Sequence, residues 1–386
     1  MLSKLQNEPA VAGVGTTRYG KLPGHDIYEL AQWALREALD DCGLTHADLD
    51  GLIVNRIPSY SHFADQCGMN PQYVLATPGH GRFSGICIQT AALLVSSGAV
   101  NTVALVYAND GGSAGITYGG DASQFGGAAG AYGGADSHWV PYGMTSPGAF
   151  HALMMQRHMH LHGTTASQLA EVAMTFRHHA SLNPAAVKRD PFTLEQYLES
   201  RFICDPLRLL DYCLINDGAV AMIITNGSRA RDLRKPPVYI RGVGQASQFT
   251  GGGFPPDDFW ARPMRQVAQE VHSMAGTTVN DMDGLMIYDN FTPTVLFSLE
   301  GFGFCPTGES GRWVSEGHLR LGGRFPANTS GGHLSESYLQ GWGLNAEAVR
   351  QLRGECDARQ IAGADFIQYM AASPVVTSII YGKDPK

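Results

Sequence analysis

The feature that most constrains the fold is a pattern that occurs twice along the 386 residues. An Asp-x-Asp-Gly-Leu motif contains Asp50 in its first copy and Asp283 in its second, 233 residues later. Each copy is preceded by a strand-like run that enters a Gly-Val-Gly turn, and by apolar residues at three- and four-residue spacing, which is typical of a helix. The repeat predicts a duplicated α/β fold with halves at 1–235 and 236–386.

The segment between two further apolar runs differs from this pattern. Residues 102–110 and 218–226 are short apolar runs, as in buried strands. Residues 111–200 lie between them as an insertion in the first half, which begins with a glycine-rich stretch. Helices are predicted around 150–161 and 166–180. Long insertions of this kind cover an active site or contact a partner, so we expect a lid or a docking surface here.

Composition excludes several classes of function. The net charge is −8 and basic residues do not cluster with aromatic ones, which argues against nucleic acid as a partner. The chain has no apolar run of membrane-spanning length and does not begin like a signal peptide, so we expect a cytoplasmic protein. Seven scattered cysteines without a Cys-x-x-Cys pair are expected to be reduced and to bind no zinc.

Two motifs have simpler explanations than ligand binding. Gly13 and Gly15 lack the third glycine of a dinucleotide fingerprint, as do Gly242 and Gly244, so both pairs are interpreted as structural turns. His158 and His162 have the i,i+4 spacing of metal ligands, but the glutamate of a His-Glu-x-x-His motif is missing. A solvated helix end or a lid is the expected role of the histidine cluster.

A glycine-broken turn at residues 79–85 leads directly into an apolar helical segment, as in enzymes that hold a nucleophile at a helix start. Ser84 fails the Gly-x-Ser-x-Gly pattern, because Arg82 and Ile86 stand where the glycines are needed. Cys87 falls between two isoleucines inside the predicted helix. Such an environment raises the pKa of a thiol, so Cys87 is predicted to be a packing residue.

Motifs in order along nearly the whole chain resemble those of the thiolase superfamily, in its sterol-carrier and lipid-transfer-protein-like branch. They include the Asp-x-Asp-Gly-Leu pair, the Ile-Asn-Asp-Gly-Ala segment from Ile215, the Tyr-Asp-Asn-Phe segment from Tyr288 and the Ser-Gly-Gly-His segment from Ser330. The resemblance implies two halves packed as five layers, α/β/α/β/α, and a homodimer.

The resemblance also implies which positions are catalytic, and this chain departs from thiolases at each. The nucleophilic cysteine falls on Gly81 or Arg82, the catalytic asparagine on Tyr288 and the catalytic histidine on Tyr338; residues 366–376 lack the second cysteine. The pattern resembles that of the steroid side-chain aldolases. These relatives cleave a β-hydroxyacyl-CoA by retro-aldol chemistry together with a small OB-fold and zinc-ribbon protein, so any zinc is expected in that partner.

Retro-aldol cleavage needs a base for the β-hydroxyl proton, a polarised thioester and a proton donor for the α-carbon, but no acyl-enzyme. We hypothesise that Tyr338 handles the substrate hydroxyl and Tyr288 acts at the thioester, although the reverse assignment stays open. His333 and Glu336 could tune the pKa of Tyr338 or be structural. Further site candidates are His80 and Asp289, with the backbone of Gly81, Gly85, Gly331 and Gly332 as oxyanion-binding or turn positions.

Two alternatives remain at this point. The first is a thiolase-type acyltransferase on an unusual acyl-CoA, with Cys87 as the nearby thiol. The second is a non-catalytic subunit that binds acyl-CoA or lipid. No cofactor is expected in this chain beyond the CoA thioester that serves as substrate.

Overall fold

The computed structural model describes residues 5–79, 81, 83–116, 144, 146–249 and 255–385. The strands are β1 (Ala10–Thr16), β2 (Gly51–Asn55), β3 (Tyr73–Thr77), β4 (Thr102–Asn109), β5 (Phe202–Cys204), β6 (Leu207–Arg208), β7 (Gly218–Thr225), β8 (Val238–Ser247), β9 (Gly284–Ile287), β10 (Phe366–Ala371) and β11 (Val375–Gly382). The longer helices are α1 (Ile27–Cys42), α2 (Tyr60–Gln66), α3 (Phe83–Ser96), α4 (Pro147–His162), α5 (Ala166–Ser181), α6 (Leu194–Glu199), α7 (Gly227–Arg231), α8 (Ala261–Ala275), α9 (Thr292–Gly301), α10 (Ser310–Ser315), α11 (Gly332–Ser335) and α12 (Trp342–Arg353).

The strand order repeats, as the sequence predicts. Read from the outer edge of the sheet towards its middle, the first half is ordered β3-β2-β4-β7-β1. Read in the same way from the opposite edge, the second half is ordered β9-β10-β11-β8. In both halves a parallel pair, β2 with β4 or β9 with β10, is followed by two antiparallel neighbours. The halves join in one nine-stranded sheet through the short antiparallel pairing of β1 with β8. The predicted boundary at 235/236 lies in the connection between α7 and β8.

The predicted five layers are present. Helix α1 packs on β1, β7 and β4, and α8 packs on β8 and β11, so these two helices form the outer layers. Helices α3 and α12 each contact strands of both halves and form the central layer. Burial on both sides explains why the strands are apolar throughout rather than alternating.

The Gly-Val-Gly segments lie inside strands β1 and β8, so their interpretation as turns was wrong. A Cβ on Gly13 or Gly15 would collide with the backbone of α1, and one on Gly242 would collide with the carbonyl of Val271 in α8. Glycine is needed because each outer helix approaches its strand too closely for any side chain.

The second aspartate of the repeated motif accepts equivalent backbone hydrogen bonds in both halves. Asp50 accepts hydrogen bonds from the backbone N–H groups of Asn101 (2.8 Å) and Thr102 (2.7 Å), where β4 begins. Asp283 accepts the N–H groups of Asp365 (2.8 Å) and Phe366 (3.0 Å), where β10 begins. Each motif therefore fixes the start of the parallel neighbour of its own strand.

Within the insertion, the two predicted helices are confirmed as α4 and α5, whereas most of the glycine-rich stretch lies outside the described residues. His160 and His162 are exposed at the end of α4, as expected. His158 was expected on a solvated helix end and is instead fully buried. Its ring nitrogens bond to Glu300 (3.1 Å) and Thr164 (2.9 Å), which ties α4 to α9.

In the part of the chain that the structure describes, no helix is both long and apolar enough to cross a membrane. Among the same residues, no three histidine, cysteine, aspartate or glutamate side chains come together as a metal-binding group.

Candidate active site

Three segments that are distant in sequence meet at the start of the central helix α3. Tyr288 follows β9, and its N–H donates to the carbonyl of Met370 (2.8 Å), which extends the β9–β10 ladder by one residue. Tyr338 lies in the loop between α11 and α12, where its N–H donates to Oδ1 of Asn216 (2.7 Å). The two tyrosine hydroxyl oxygens are 2.9 Å apart, within hydrogen-bond distance.

The backbone of Gly81 lies against the phenol of Tyr288. A Cβ built on Gly81 would overlap the hydroxyl oxygen and Cζ of Tyr288. Gly81 is one of the two positions onto which the nucleophilic cysteine of thiolases falls. The Tyr288 phenol thus occupies the volume that a side chain at position 81 would need. Tyr288 can take this position only because residue 81 is a glycine.

The two phenols have different surroundings. Tyr288 is buried, and burial raises its pKa well above the ordinary value of a tyrosine, an effect that the hydrogen bond with Tyr338 only partly offsets. Tyr338 is half-buried. Tyr288 is therefore a neutral phenol that can donate a proton or hydrogen bond, whereas Tyr338 lies nearer to solvent.

His333 packs against both phenols. Its ring is edge-to-face with Tyr288 (centroids 4.7 Å apart) and with Tyr338 (5.2 Å). Burial lowers the pKa of His333 to about 3, so the imidazole is neutral at physiological pH. Its Nε2 accepts the N–H of Gly341 at 3.0 Å. His333 therefore contributes to the site as a neutral imidazole, although the sequence only suggested that it could tune a pKa.

The hydrogen bonds of Asp289 support a positioning role, and the catalytic role expected from the sequence stays a prediction. Its carboxylate is fully buried and accepts the backbone N–H groups of His333 (2.9 Å) and Leu334 (3.2 Å) at the start of α11. Burial raises the pKa of Asp289, and these hydrogen bonds oppose that change. The carboxylate holds the turn that precedes Tyr338 and has its acceptors directed at backbone rather than at a substrate.

The glycines expected as oxyanion-binding or turn positions divide into two kinds. Gly331 and Gly332 have left-handed φ angles of 107° and 61°, and their N–H groups donate to Asn328 (2.8 Å) and to Ser330 Oγ (3.4 Å). Oxyanion binding by these two is therefore not supported, and their role is the turn itself. Gly85 lies in the first turn of α3, where a Cβ would meet Thr377.

The remaining thiol and hydroxyl near the turn are not available for nucleophilic attack. Cys87 is completely buried with its Sγ 3.4 Å from Thr77 Oγ1, and burial raises its pKa to about 12. The packing role predicted for it from sequence agrees with this environment. Ser84 Oγ bonds to the hydroxyl of Tyr369 at 2.9 Å. His80 lies outside the described residues.

Glu336 points away from the tyrosine pair. Its carboxylate accepts hydrogen bonds from Asn183 Nδ2 (3.1 Å) and Ser330 Oγ (2.8 Å), and burial raises its pKa to about 7. Two contributors to the site were missed from sequence. Asn216, which anchors Tyr338, belongs to the Ile-Asn-Asp-Gly-Ala motif and could have been found there. Cys213, close enough to influence the pKa of Tyr288, has no such signal.

Comparison with known proteins identifies the family. Residues 255–373 match the family model described as "Thiolase C-terminal domain-like". A protein of Thermomonospora curvata named "Steroid side-chain-cleaving aldolase" is 34% identical, and the alignment covers 99% of this chain and 100% of that protein. The chain belongs to the thiolase superfamily.

Within the superfamily, several relatives carry lyase names. A protein of Mycobacterium tuberculosis named "17-hydroxy-3-oxo-4-pregnene-20-carboxyl-CoA lyase" is 34% identical over 97% of this chain and 98% of its own. A solved structure entitled "Ltp2-ChsH2(DUF35) aldolase" superposes with a TM-score of 0.89 at 32% identity and covers 99% of both chains. Human mitochondrial 3-ketoacyl-CoA thiolase in complex with CoA, at 16% identity and a TM-score of 0.68, shares the fold.

Proposed function

We propose that this protein is a carbon–carbon lyase that cleaves a β-hydroxyacyl-CoA thioester, with a steroid side-chain CoA ester as substrate, into a ketone and a short acyl-CoA. The observation that carries the proposal is the hydroxyl–hydroxyl contact of 2.9 Å between Tyr288 and Tyr338, above a glycine at the thiolase nucleophile position. Proton transfer between two fixed phenols suits a retro-aldol reaction. Acyl transfer would need a reactive thiol at the same place.

The proton balance of the reaction fits a relay through the pair. The α–β carbon bond breaks, a carbonyl forms at the β-carbon, and the electron pair moves into the thioester enolate. In the same relay Tyr288 gives its own proton to the α-carbon and takes the proton of Tyr338, while Tyr338, the half-buried phenol, takes the proton of the substrate β-hydroxyl. Both tyrosines end the reaction as neutral phenols. The net result is the transfer of one proton from the substrate hydroxyl to the acyl-CoA product, and no external acid or base is consumed.

The enolate oxygen requires hydrogen-bond donors. The first backbone N–H groups of a helix lack acceptors within the helix and lie at the positive end of its dipole. We assign this role to the N-terminal end of α3, beside Gly81 and Gly85. A polarised thioester there lowers the barrier to carbon–carbon cleavage.

We further propose that the chain forms a homodimer and works with a small OB-fold and zinc-ribbon protein. Support comes from the similar aldolase structure, whose title includes a DUF35 protein as well as its own chain. Zinc is assigned to that partner and no cofactor to this chain. The cytoplasmic location expected from sequence stays a prediction.

The decisive experiment is a cleavage assay on 17-hydroxy-3-oxo-4-pregnene-20-carboxyl-CoA, the compound in the name of the mycobacterial relative. The protein is assayed alone and co-expressed with a DUF35 protein, and both the ketosteroid and the short acyl-CoA are measured. We expect Tyr288→Phe and Tyr338→Phe each to lower kcat about 10²- to 10⁴-fold with folding retained. Parental rates for both variants would refute the relay.

Acyl transfer is the second candidate, because an acetyl-CoA acetyltransferase of Methanothermobacter thermautotrophicus is 31% identical over 92% of this chain. It requires a covalent acyl-cysteine. Burial of Cys87 and its raised pKa oppose this function. Incubation with labelled acetyl-CoA followed by mass spectrometry of the intact chain tests it: a stoichiometric acyl adduct supports transfer.

A non-catalytic lipid-binding subunit is the third candidate, since human sterol carrier protein 2 is 26% identical over 92% of this chain. This function predicts binding of the steroid CoA ester without turnover even when the partner is present. Turnover that depends on Tyr288 and Tyr338 excludes it.

A further inference from the structure

The loop that carries Tyr338 joins α11 to α12, and a side chain of α11 closes it. Nε2 of His333 accepts the N–H of Gly341 at 3.0 Å, so this hydrogen bond joins α11 to the residue just before α12, eight positions further along the chain. Tyr338 lies inside the loop. The imidazole is therefore the link between the two ends of the segment that presents the Tyr338 hydroxyl.

The same ring packs against both phenols. It is 1% exposed and is edge-to-face with both phenols, which also contact each other through their hydroxyl groups. Aromatic side chains in such contacts limit each other's orientation. A change in His333 that opens the loop is therefore expected to move both phenols.

The hydrogen bond to Gly341 determines the protonation state that this role requires. Because Nε2 accepts, the neutral ring carries its proton on Nδ1, which lies 3.3 Å from Asp289 Oδ1 at an angle outside hydrogen-bond geometry. An imidazolium would direct an N–H group at the N–H of Gly341 and break the closure. Asp289 in turn holds the backbone N–H of His333, which fixes where the ring begins.

We propose that His333 is a positioning residue of the lyase reaction, whose acceptor at Nε2 closes the loop around Tyr338 and holds its hydroxyl against that of Tyr288. This inference rests on the proposed function. His333 does not contact the reacting atoms in this role. It acts through Tyr338, and any side chain that supplies an acceptor at the same point should replace it.

Three substitutions separate the acceptor from the volume of the ring. The amide oxygen of His333→Gln reaches the position of Nε2, that of His333→Asn reaches only the position of Nδ1, and His333→Leu has no acceptor. We expect His333→Gln to keep kcat within about threefold, and His333→Leu and His333→Asn to lower it on the order of 10- to 100-fold with KM little changed. If His333→Leu does not fold, the contrast between Gln and Asn still decides. Equal activity of all folded variants, or equal loss in all, overturns the proposal.

A double-mutant cycle shows whether the effect passes through Tyr338. In a Tyr338→Phe background, His333→Leu should lower the residual cleavage rate no further, since the hydroxyl it positions is absent. Independent, multiplicative losses would overturn the proposal. If Tyr338→Phe itself cleaves at the parental rate, the relay fails, and if the parent protein with its partner cleaves no β-hydroxyacyl-CoA, the proposed function fails. The parent, the single variants and the double variant therefore distinguish the failure of this inference from the failure of the lyase function.

Discussion

The two halves of the molecule place different residues at one equivalent position. Asn55 ends β2 and Tyr288 follows β9, and the two are 233 residues apart, as are the repeated aspartates. The amide of Asn55 donates to the Pro78 carbonyl (2.6 Å) and accepts the indole N–H of Trp342 (2.9 Å). The hydroxyl of Tyr288 instead reaches Tyr338.

The difference follows from what each side chain meets in the central layer. Asn55 faces Trp342, the first residue of α12, whereas Tyr288 faces Gly81, just before α3. A tryptophan leaves room only for a small amide whose hydrogen bonds are all made within the scaffold. A glycine leaves room for a phenol and a second phenol beside it. On the proposed function, one fold therefore yields a structural position in one half and a reactive position in the other.

The largest effect should come from filling the space at Gly81. Gly81→Ala displaces the Tyr288 phenol, because even a methyl group overlaps its hydroxyl. We expect kcat of the cleavage reaction to fall about 100-fold or more. Gly343→Ala is the matched control, since its Cβ would lie at an ordinary 3.4 Å from the nearest atom and helix α12 favours alanine. Equal activity of the two variants would show that Tyr288 need not occupy this place.

Asn55 and Tyr288 should respond oppositely to truncation. Asn55→Ala leaves the buried Trp342 N–H without its acceptor, so the free energy of unfolding should fall by about 2–3 kcal/mol. Tyr288→Phe removes one hydroxyl and should cost about 1 kcal/mol or less while it abolishes most activity. Urea unfolding and the cleavage assay on both variants test this. Similar stability losses would remove the distinction between a scaffold position and a reactive one.

Glu336, in the loop between α11 and α12, should make stability depend on pH. Its pKa of about 7 lies above the ordinary value of 4.5, so the folded state binds more protons and stability falls as pH rises through 4.5 to 7. Glu336→Gln stays neutral and should raise the free energy of unfolding at pH 8 by roughly 3 kcal/mol at most. The gain should vanish at pH 4. Denaturant titrations at both pH values measure it, and a pH-independent difference would contradict it.

The repeated aspartates should give the smallest effects. Both carboxylate oxygens of Asp50 accept hydrogen bonds, whereas Asp283 uses a single oxygen for Asp365 and Phe366. An asparagine retains one acceptor oxygen. We therefore expect Asp50→Asn to lower the free energy of unfolding by about 2 kcal/mol and Asp283→Asn by about 1 kcal/mol. Thermal unfolding of the two variants tests the order, and the reverse order would show that the number of accepting carboxylate oxygens does not set the loss.

Much of the fold was accessible from the sequence, because its cause is local or repeated. The apolar spacing that defines α1 and α8, the buried strands β4 and β7 and the 233-residue repeat are all visible in a single chain. The Gly-Val-Gly segments show the limit of such inference. Whether a glycine makes a turn or admits a helix against a strand depends on a neighbour far away in sequence, here α1 or α8.

The site divides in the same way. The sequence by itself determined that the thiolase cysteine is gone and that Tyr288 and Tyr338 stand at two family positions. Only the tertiary structure decided that the two hydroxyls meet, that Asp289 holds the turn, and that His333 is a neutral ring packed against both phenols. The physical reason is that the identity of a residue fixes which protons its side chain can carry. Where those protons go depends on distance and burial, and these arise only when segments 50 to 250 residues apart pack together.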